Sequence, residues 1–185
     1  MCSRVGAGQT PENAISCEES FHLSYVMRQI PKSLQLDAID RGILNELQND
    51  GRLSNVELAA RVHLSPSACL RRVKQLEDSG VIAQYVALID PKRVGQPGTS
   101  YTIVNLERLT AAAIEAFEGA VRDDPAILDC FYVAGSNDYL IRFTYRDAED
   151  LERFHAGVLM RLPGVVRSNS MLVLRTVKKT TALAL

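Results

Sequence analysis

What this chain lacks narrows its function first. Its four cysteines, Cys2, Cys17, Cys69 and Cys130, are far apart and form no C-x-x-C pair, which argues against a disulfide scaffold and against a zinc site. Three scattered histidines, His22, His63 and His155, supply no ligand constellation, so no metal or resident cofactor is expected. No apolar run approaches membrane-spanning length, and the N-terminal residues are polar and charged where a secretory leader needs an apolar stretch. A reduced, cytoplasmic setting is the default expectation. A surplus of one charge is also missing. Residues 1–35 carry three basic and three acidic groups, residues 36–97 eight of each, and residues 98–185 ten and eleven. Any nucleic-acid binding must therefore come from a local patch and not from a basic domain. Catalytic patterns are scarce too. There is no Ser/His/Asp or Cys/His arrangement and no glycine-rich phosphate loop, and the carboxylate pair Asp123-Asp124 falls at a helix end. An enzyme is not expected.

Against that background one stretch stands out. Between Glu57 and Glu77 the chain carries Arg61, Arg71, Arg72 and Lys74 and no acidic residue. The patterns around it are helical. Asp37 is placed to cap a helix whose apolar residues Ile39, Ile43, Leu44 and Leu47 share a face, with Gly51 ending it. Ser54-Asn-Val-Glu57 is a capping box, predicting a second helix that buries Val56, Ala59, Ala60 and Val62. His63-Leu64 turns the chain. Ser65-Pro66 then supplies an N-cap and a proline at the first helical position, and a third helix runs to Ser79 with Cys69, Val73 and Leu76 inward and Gly80 as its stop. Three short helices, the last two joined by a tight turn, make a helix-turn-helix, whose final helix fits the major groove of duplex DNA. Ser65, Ser67, Ala68, Arg71, Arg72 and Gln75 are expected to face outward for bases or phosphates, with Arg61 and Lys74 as phosphate contacts. The alternative is an ordinary helical bundle with a solvated basic face.

The rest of the chain divides around this core. Residues 1–35 show no sustained period and read as a weakly ordered tail, with a short helix around Ser20–Gln29 and Met27 as an alternative start. The helix-turn-helix domain spans residues 36–85, and a strand and linker span 86–98, the strand itself being expected over Val81–Ile89. A second domain covers residues 99–178, followed by a tail at 179–185. In that second domain Ser100–Leu106 is strand-like, Thr110 caps a helix carrying Ile114, Phe117 and Val121, and Ile127–Val133 is a second strand. Tyr139–Tyr145 alternates strictly, Asp147 caps a helix presenting Leu151, Phe154, Val158, Leu159 and Leu162, and Val165–Val177 closes the series. The order βαββαβ is the ferredoxin-like plan. Two helices cover one face of such a sheet, and the apolar residues on its strands suggest that a second subunit covers the other. Between the second and third strands, Gly135, Ser136, Asn137 and Asp138 form a turn. Gly135 permits positive φ, exposed N–H groups could take a carboxylate, and Asp138 could take an ammonium; a plain hairpin turn is the alternative.

Together, LDAIDRGILNELQNDGR, LSPSACLRRVKQLEDSGVI, IDPKRVG and VAGSNDYLIRF resemble the Lrp/AsnC family, the leucine- and asparagine-responsive feast/famine regulators of bacteria and archaea, over about Leu36 to Lys178. The resemblance implies an α+β chain with an N-terminal winged helix-turn-helix domain and a C-terminal ferredoxin-like βαββαβ (RAM, ACT-like) domain. It maps the DNA-binding segment onto Asn55 to Lys74 and the effector loop onto Gly135, Ser136, Asn137 and Asp138, followed by Tyr139. It implies a nucleoid-associated transcription regulator of amino-acid metabolism genes that binds promoter DNA, answers an amino acid or related small molecule at a subunit interface, and forms homodimers that assemble to tetramers or octamers. Ser168 and Ser170 are expected near the same cleft from another subunit. The competing expectation is an architectural DNA-wrapping protein without an effector.

Overall fold

The computed structural model describes residues 35–185. The expected helix at Ser20–Gln29, the start at Met27, and Cys2, Cys17 and His22 lie outside these residues. The described chain divides into two units: one comprises residues up to 94 together with 174–185, and the other residues 95–173.

The first unit is built on three helices, α1 (Ala38–Asn49), α2 (Asn55–Arg61) and α3 (Pro66–Asp78). Each begins where side-chain chemistry satisfies the free N–H groups of a first turn. Asp37 and Asp40 exchange hydrogen bonds in a capping box, as do Ser54 and Glu57, while the Ser65 hydroxyl accepts from the Ala68 N–H. The chain leaves α2 through His63 at φ +56°, a left-handed conformation that His tolerates better than most side chains, and the Leu64 N–H reaches back to the Ala59 carbonyl. Ile43, Leu44, Leu58, Ala59, Cys69 and Leu76 form the core. Val56, expected inside, is 65% exposed, and Ala60 is exposed too. Ala59 is buried as expected and Val62 packs against the core, while Leu58 takes the remaining inward place.

The strand expected at Val81–Ile89 is absent. Gly80 ends α3 at φ +74°, and the chain then runs on without ladder bonds, with Val86, Leu88 and Ile89 exposed. A β-strand is a paired object, and among the described residues of this unit no strand lies beside it. Tyr85 is tied instead to α3, its hydroxyl donating to the Glu77 carboxylate at 3.0 Å. Burial and that carboxylate raise its pKa to about 12.

The second unit follows the order β1 (Gly98–Leu106), α4 (Ala111–Asp123), β2 (Asp129–Tyr132), β3 (Tyr139–Tyr145), α5 (Ala148–Gly157), a 3-10 turn (Leu159–Arg161) and β4 (Val165–Leu172). Its antiparallel sheet has strand order β2-β3-β1-β4. β2 is shorter than expected, and β4 stops at Leu172, where its pairing with β1 ends at Ser100. α5 gives way after Gly157, a poor helix former, to the 3-10 turn; Leu159 and Leu162 are still buried. Alternation along β1 and β3 sends Val104, Leu106, Tyr139, Ile141 and Phe143 onto Phe117, Val121, Phe154 and Leu159. Phe143 stacks on Phe154 with centroids 3.6 Å apart. Burying each such side chain contributes about 1.5–3 kcal/mol. The alternate positions, Tyr101, Ile103, Leu140, Phe131 and Met171, share the sheet's other face by register, where Phe131 is 52% exposed.

Candidate nucleic-acid interface and ligand loop

In the helical unit the basic stretch is partly neutralised from within. The Arg72 guanidinium donates to Asp40 at 2.7 Å and to Asp37 at 2.8 Å, and Arg61 pairs with Glu46 at 2.8 Å. Hydrogen bonds to Asp40 and then Asp37 raise the Arg72 pKa. The Asp40 N–H above all, and then Arg72, hold Asp37 below the ordinary carboxylate range. The helical pattern places Arg72 outward; the folded chain turns it toward α1, because the carboxylates of that helix's capping box lie within reach. Asn55 is likewise turned inward. Its Nδ2 donates to the Pro66 carbonyl at 2.8 Å, joining the starts of α2 and α3, and its Oδ1 is buried without a hydrogen-bond partner among the described residues.

A narrower surface remains. Ser65, Ser67, Arg71, Lys74 and Gln75 are exposed on α3 and its cap, while Ala68 is half-buried. Among the described residues neither Arg71 nor Lys74 makes a salt bridge. Leu70, 58% exposed, lies on the same side of the helix, three and four residues from Ser67 and Lys74. Sequence reading passes over it, since an apolar residue in a helical pattern is assigned to the core by default; its one signal is that it falls outside the Cys69, Val73, Leu76 line.

In the sheet unit, Gly135, Ser136, Asn137 and Asp138 do form the connection between β2 and β3. Gly135 has φ +127°, a conformation that side-chain-bearing residues rarely adopt. Asp138 closes the loop: the Val133 N–H donates to its carbonyl at 2.9 Å, and its Oδ2 accepts from the Leu106 N–H at 2.8 Å. That second bond falls where the β1–β4 pairing shifts register between Asn105 and Leu106. Asn105 Nδ2 donates to the Ser136 carbonyl at 3.3 Å and Asn137 Nδ2 to the Ser136 hydroxyl at 3.2 Å. Tyr139 does not share the loop's surface. Its side chain is buried against Phe117 and Tyr132, its hydroxyl donates to Glu118 at 3.0 Å, and burial followed by that carboxylate raises its pKa. Burial, together with the Glu118 charge, also raises the nearby Cys130 thiol to about 11.

Ser170 is engaged within its own unit. Its hydroxyl lies 2.6 Å from Thr102 Oγ1 and 3.1 Å from His155 Nε2, and the buried Ser100 hydroxyl donates to the Met171 carbonyl at 3.3 Å. These contacts tie the edge strand β4 to β1 and to the end of α5. Among the described residues, no three His, Cys, Asp or Glu side chains are grouped to hold a metal ion, and no helix is long and apolar enough to cross a membrane.

Comparison with known proteins agrees with both halves of this geometry. Residues 36–83 match the winged helix-turn-helix DNA-binding model, and residues 99–183 match the Lrp/AsnC ligand binding domain. The leucine-responsive regulatory proteins of Salmonella typhimurium and of Escherichia coli strain K12 are each 40% identical over 150 residues, 81% of this chain and 92% of theirs. A Neisseria meningitidis transcriptional regulator solved in complex with L-Met has a TM-score of 0.77 at 42% identity, covering 81% of this chain and 97% of that one. An AsnC family regulator from Agrobacterium tumefaciens has a TM-score of 0.77 at 29% identity, covering 80% and 97%. The chain belongs to the Lrp/AsnC family of DNA-binding transcriptional regulators.

Proposed function

We propose that this regulator reads paired half-sites in promoter DNA as a homodimer or a higher assembly of dimers. Ser65, Ser67, Arg71, Lys74 and Gln75 make the contacts, and an amino acid bound at the Gly135–Asp138 loop tunes the affinity. The observation that carries this reading is the division of the basic stretch: Arg61 and Arg72 are held by α1 carboxylates, whereas Arg71 and Lys74 are exposed on α3. With only Arg71 and Lys74 as exposed, unbridged cations of the basic stretch, the reading helix of one head neutralises only a few phosphates and binds weakly; two heads on a symmetric scaffold supply the missing affinity. The exposed apolar positions on the open sheet face, and the unpaired extended segment at 81–89, are what a second copy would cover. Ser170 is left out of the effector site, since its hydroxyl is already engaged by Thr102 and His155.

The effector belongs to the class of free α-amino acids. Gly135 opens the loop, backbone N–H groups there suit a carboxylate, and Asp138 keeps one carboxylate oxygen beyond its bond to Leu106. The related meningococcal regulator was solved with L-Met, which makes L-methionine, together with L-leucine, the first probe. A second reading, a DNA-wrapping protein without an effector, draws on one observation: the Asp138 carboxylate already caps Leu106 and is partly committed to the fold. Selection of duplexes from a random pool, followed by titration of the protein–DNA complex with L-methionine and L-leucine, separates the two. Effector-dependent change of DNA affinity, in the usual allosteric range of about 5–150-fold, supports the first reading. Tight DNA binding indifferent to every amino acid supports the second.

A further inference from the structure

One segment is used neither by the reading helix nor by the loop. Residues 174–185 follow β4 in the sequence yet belong to the helical unit. Their anchor is reciprocal: the Leu183 N–H donates to Gln48 Oε1 at 2.6 Å, and Gln48 Nε2 donates to the Leu183 carbonyl at 3.2 Å. A carboxamide placed this way satisfies a peptide unit much as a neighbouring strand would. Around the anchor lies an open cleft of about 630 Å³, walled by Leu44 and Leu47 of α1, by Ile82 and Leu88 of the connecting segment, and by Leu183 and Leu185. The seat is shallow. Leu183 stays 71% exposed and Val177 86%, so a few solvent-accessible contacts hold the segment. No residue of α3 lines the cleft, which leaves the DNA-reading surface uncovered when the segment is seated.

We propose that the α1 cleft is a docking site for the chain's own residues 180–185, and that their seating straps the head and fixes the spacing at which a dimer reads two half-sites. The head is covalently tied to the sheet unit through the connecting segment at one end of that unit's sequence and through residues 173–174 at the other. With the C-terminal segment released, only the first tie constrains it; with the segment seated, both do. A restraint of this kind acts on paired sites and not on a single one, since one head on one half-site has no spacing to satisfy. The proposal rests on dimeric reading of DNA.

Two variants test it, Gln48→Ala and deletion of residues 180–185, each measured by fluorescence anisotropy on duplexes selected from a random pool by the unaltered protein. One probe carries a single half-site, a second both half-sites, and a third both with the spacing changed by about half a helical turn, roughly 5 bp. Both variants are expected to bind the single half-site as the unaltered protein does, and to lose about fivefold or more of the preference for the selected spacing. A spacing preference unchanged in both variants overturns the proposal, as does equal weakening on the single half-site. Amide exchange tests the docking without DNA. The Leu183 N–H is expected to be protected in the full chain and to lose that protection in Gln48→Ala; exchange at the rate of an unstructured peptide in the full chain refutes the docking. If the unaltered protein binds no duplex while Leu183 is protected, dimeric reading fails, the docking stands, and the role in spacing falls with the reading.

Discussion

The Arg72 guanidinium lies 2.7 Å from the Asp40 carboxylate and 2.8 Å from that of Asp37, while its neighbour Arg71 is exposed on the same helix. Adjacent arginines on a helix point about 100° apart, so one can lock α3 to α1 while the other faces DNA. Their substitutions should therefore differ in kind. Arg71→Ala and Lys74→Ala are expected to weaken DNA binding and to lower the slope of log K against log salt by about 0.9 for each phosphate no longer neutralised, with no change in thermal stability. Arg72→Ala leaves two carboxylates facing each other and is expected to destabilise the head by about 1–2 kcal/mol, between the values for exposed and buried pairs. Arg72→Lys should restore part of it, because both bonds come from the single nitrogen Nη1 and an ammonium also carries more than one donor. Calorimetric melts beside salt-dependent anisotropy separate the two classes. Equal loss of stability in Arg71→Ala and Arg72→Ala would dissolve the distinction.

Acid should loosen the head through its caps. The Asp40 N–H and Arg72 depress the Asp37 pKa, and the Ser54 hydroxyl and then the Ser54 N–H depress that of Glu57. A carboxyl group more acidic in the folded state than in the unfolded chain contributes its stabilisation in full above the ordinary carboxylate pKa, and loses it as pH falls through the lower folded value. Stability should thus be flat with respect to these two groups between about pH 6 and 8, and decline below about pH 4. Glu57→Gln keeps an acceptor for the cap without the charge, and is expected to shallow that decline in melts recorded down the acid range. A variant whose acid limb overlays that of the unaltered protein would exclude Glu57 as a contributor.

Local chemistry is the part of the fold most legible in the sequence. The cap at Asp37, the capping box at Ser54, the Ser65-Pro66 start, the Thr110 and Asp147 caps and the strict alternation of Tyr139–Tyr145 each act within a few residues, and each appears where the pattern places it. What depends on a distant partner is not legible. The segment at Val81–Ile89 has strand composition but, among the described residues, no strand to pair with. Arg72 reads as an exposed cation until Asp37 and Asp40, more than thirty residues away, are folded against it. Tyr139 follows the loop in sequence, but its odd-numbered place in β3 sends the ring into the core with Ile141 and Phe143. The Gln48–Leu183 anchor, spanning 135 positions, has no sequence signature at all.

Asp138 has two duties that different substitutions can separate. Asp138→Asn retains an acceptor for the Leu106 N–H while removing the charge that an ammonium would need; Asp138→Ala removes both. Thermal stability is expected to change little in Asp138→Asn and to fall by about 1 kcal/mol in Asp138→Ala, the size of one hydrogen bond. Calorimetric titration with L-methionine and L-leucine is expected to show binding to the unaltered protein and loss of most of it in both variants, because an amino acid's ammonium is left without its counter-charge. Binding retained by Asp138→Asn would move the ammonium site elsewhere on the loop.

Leu70 offers a sharper reading of what α3 recognises. It is 58% exposed beside a serine, an arginine and a lysine, in a helix whose other large apolar residues face the core. A polar face needs no leucine for solubility. In the major groove, however, the thymine C5-methyl is the apolar feature that distinguishes one base edge from the others. If Leu70 covers that methyl, replacing the contacted thymine by uracil in a selected duplex should cost about 0.8 kcal/mol, roughly fourfold in affinity, the value of one buried carbon. The same replacement should cost Leu70→Ala nothing, because that variant no longer covers the methyl. Scanning each thymine of the half-site to uracil with both proteins decides the matter: a methyl-sensitive position shared equally by the two assigns the contact to another residue, and no sensitive position at all leaves Leu70 without a role in reading sequence.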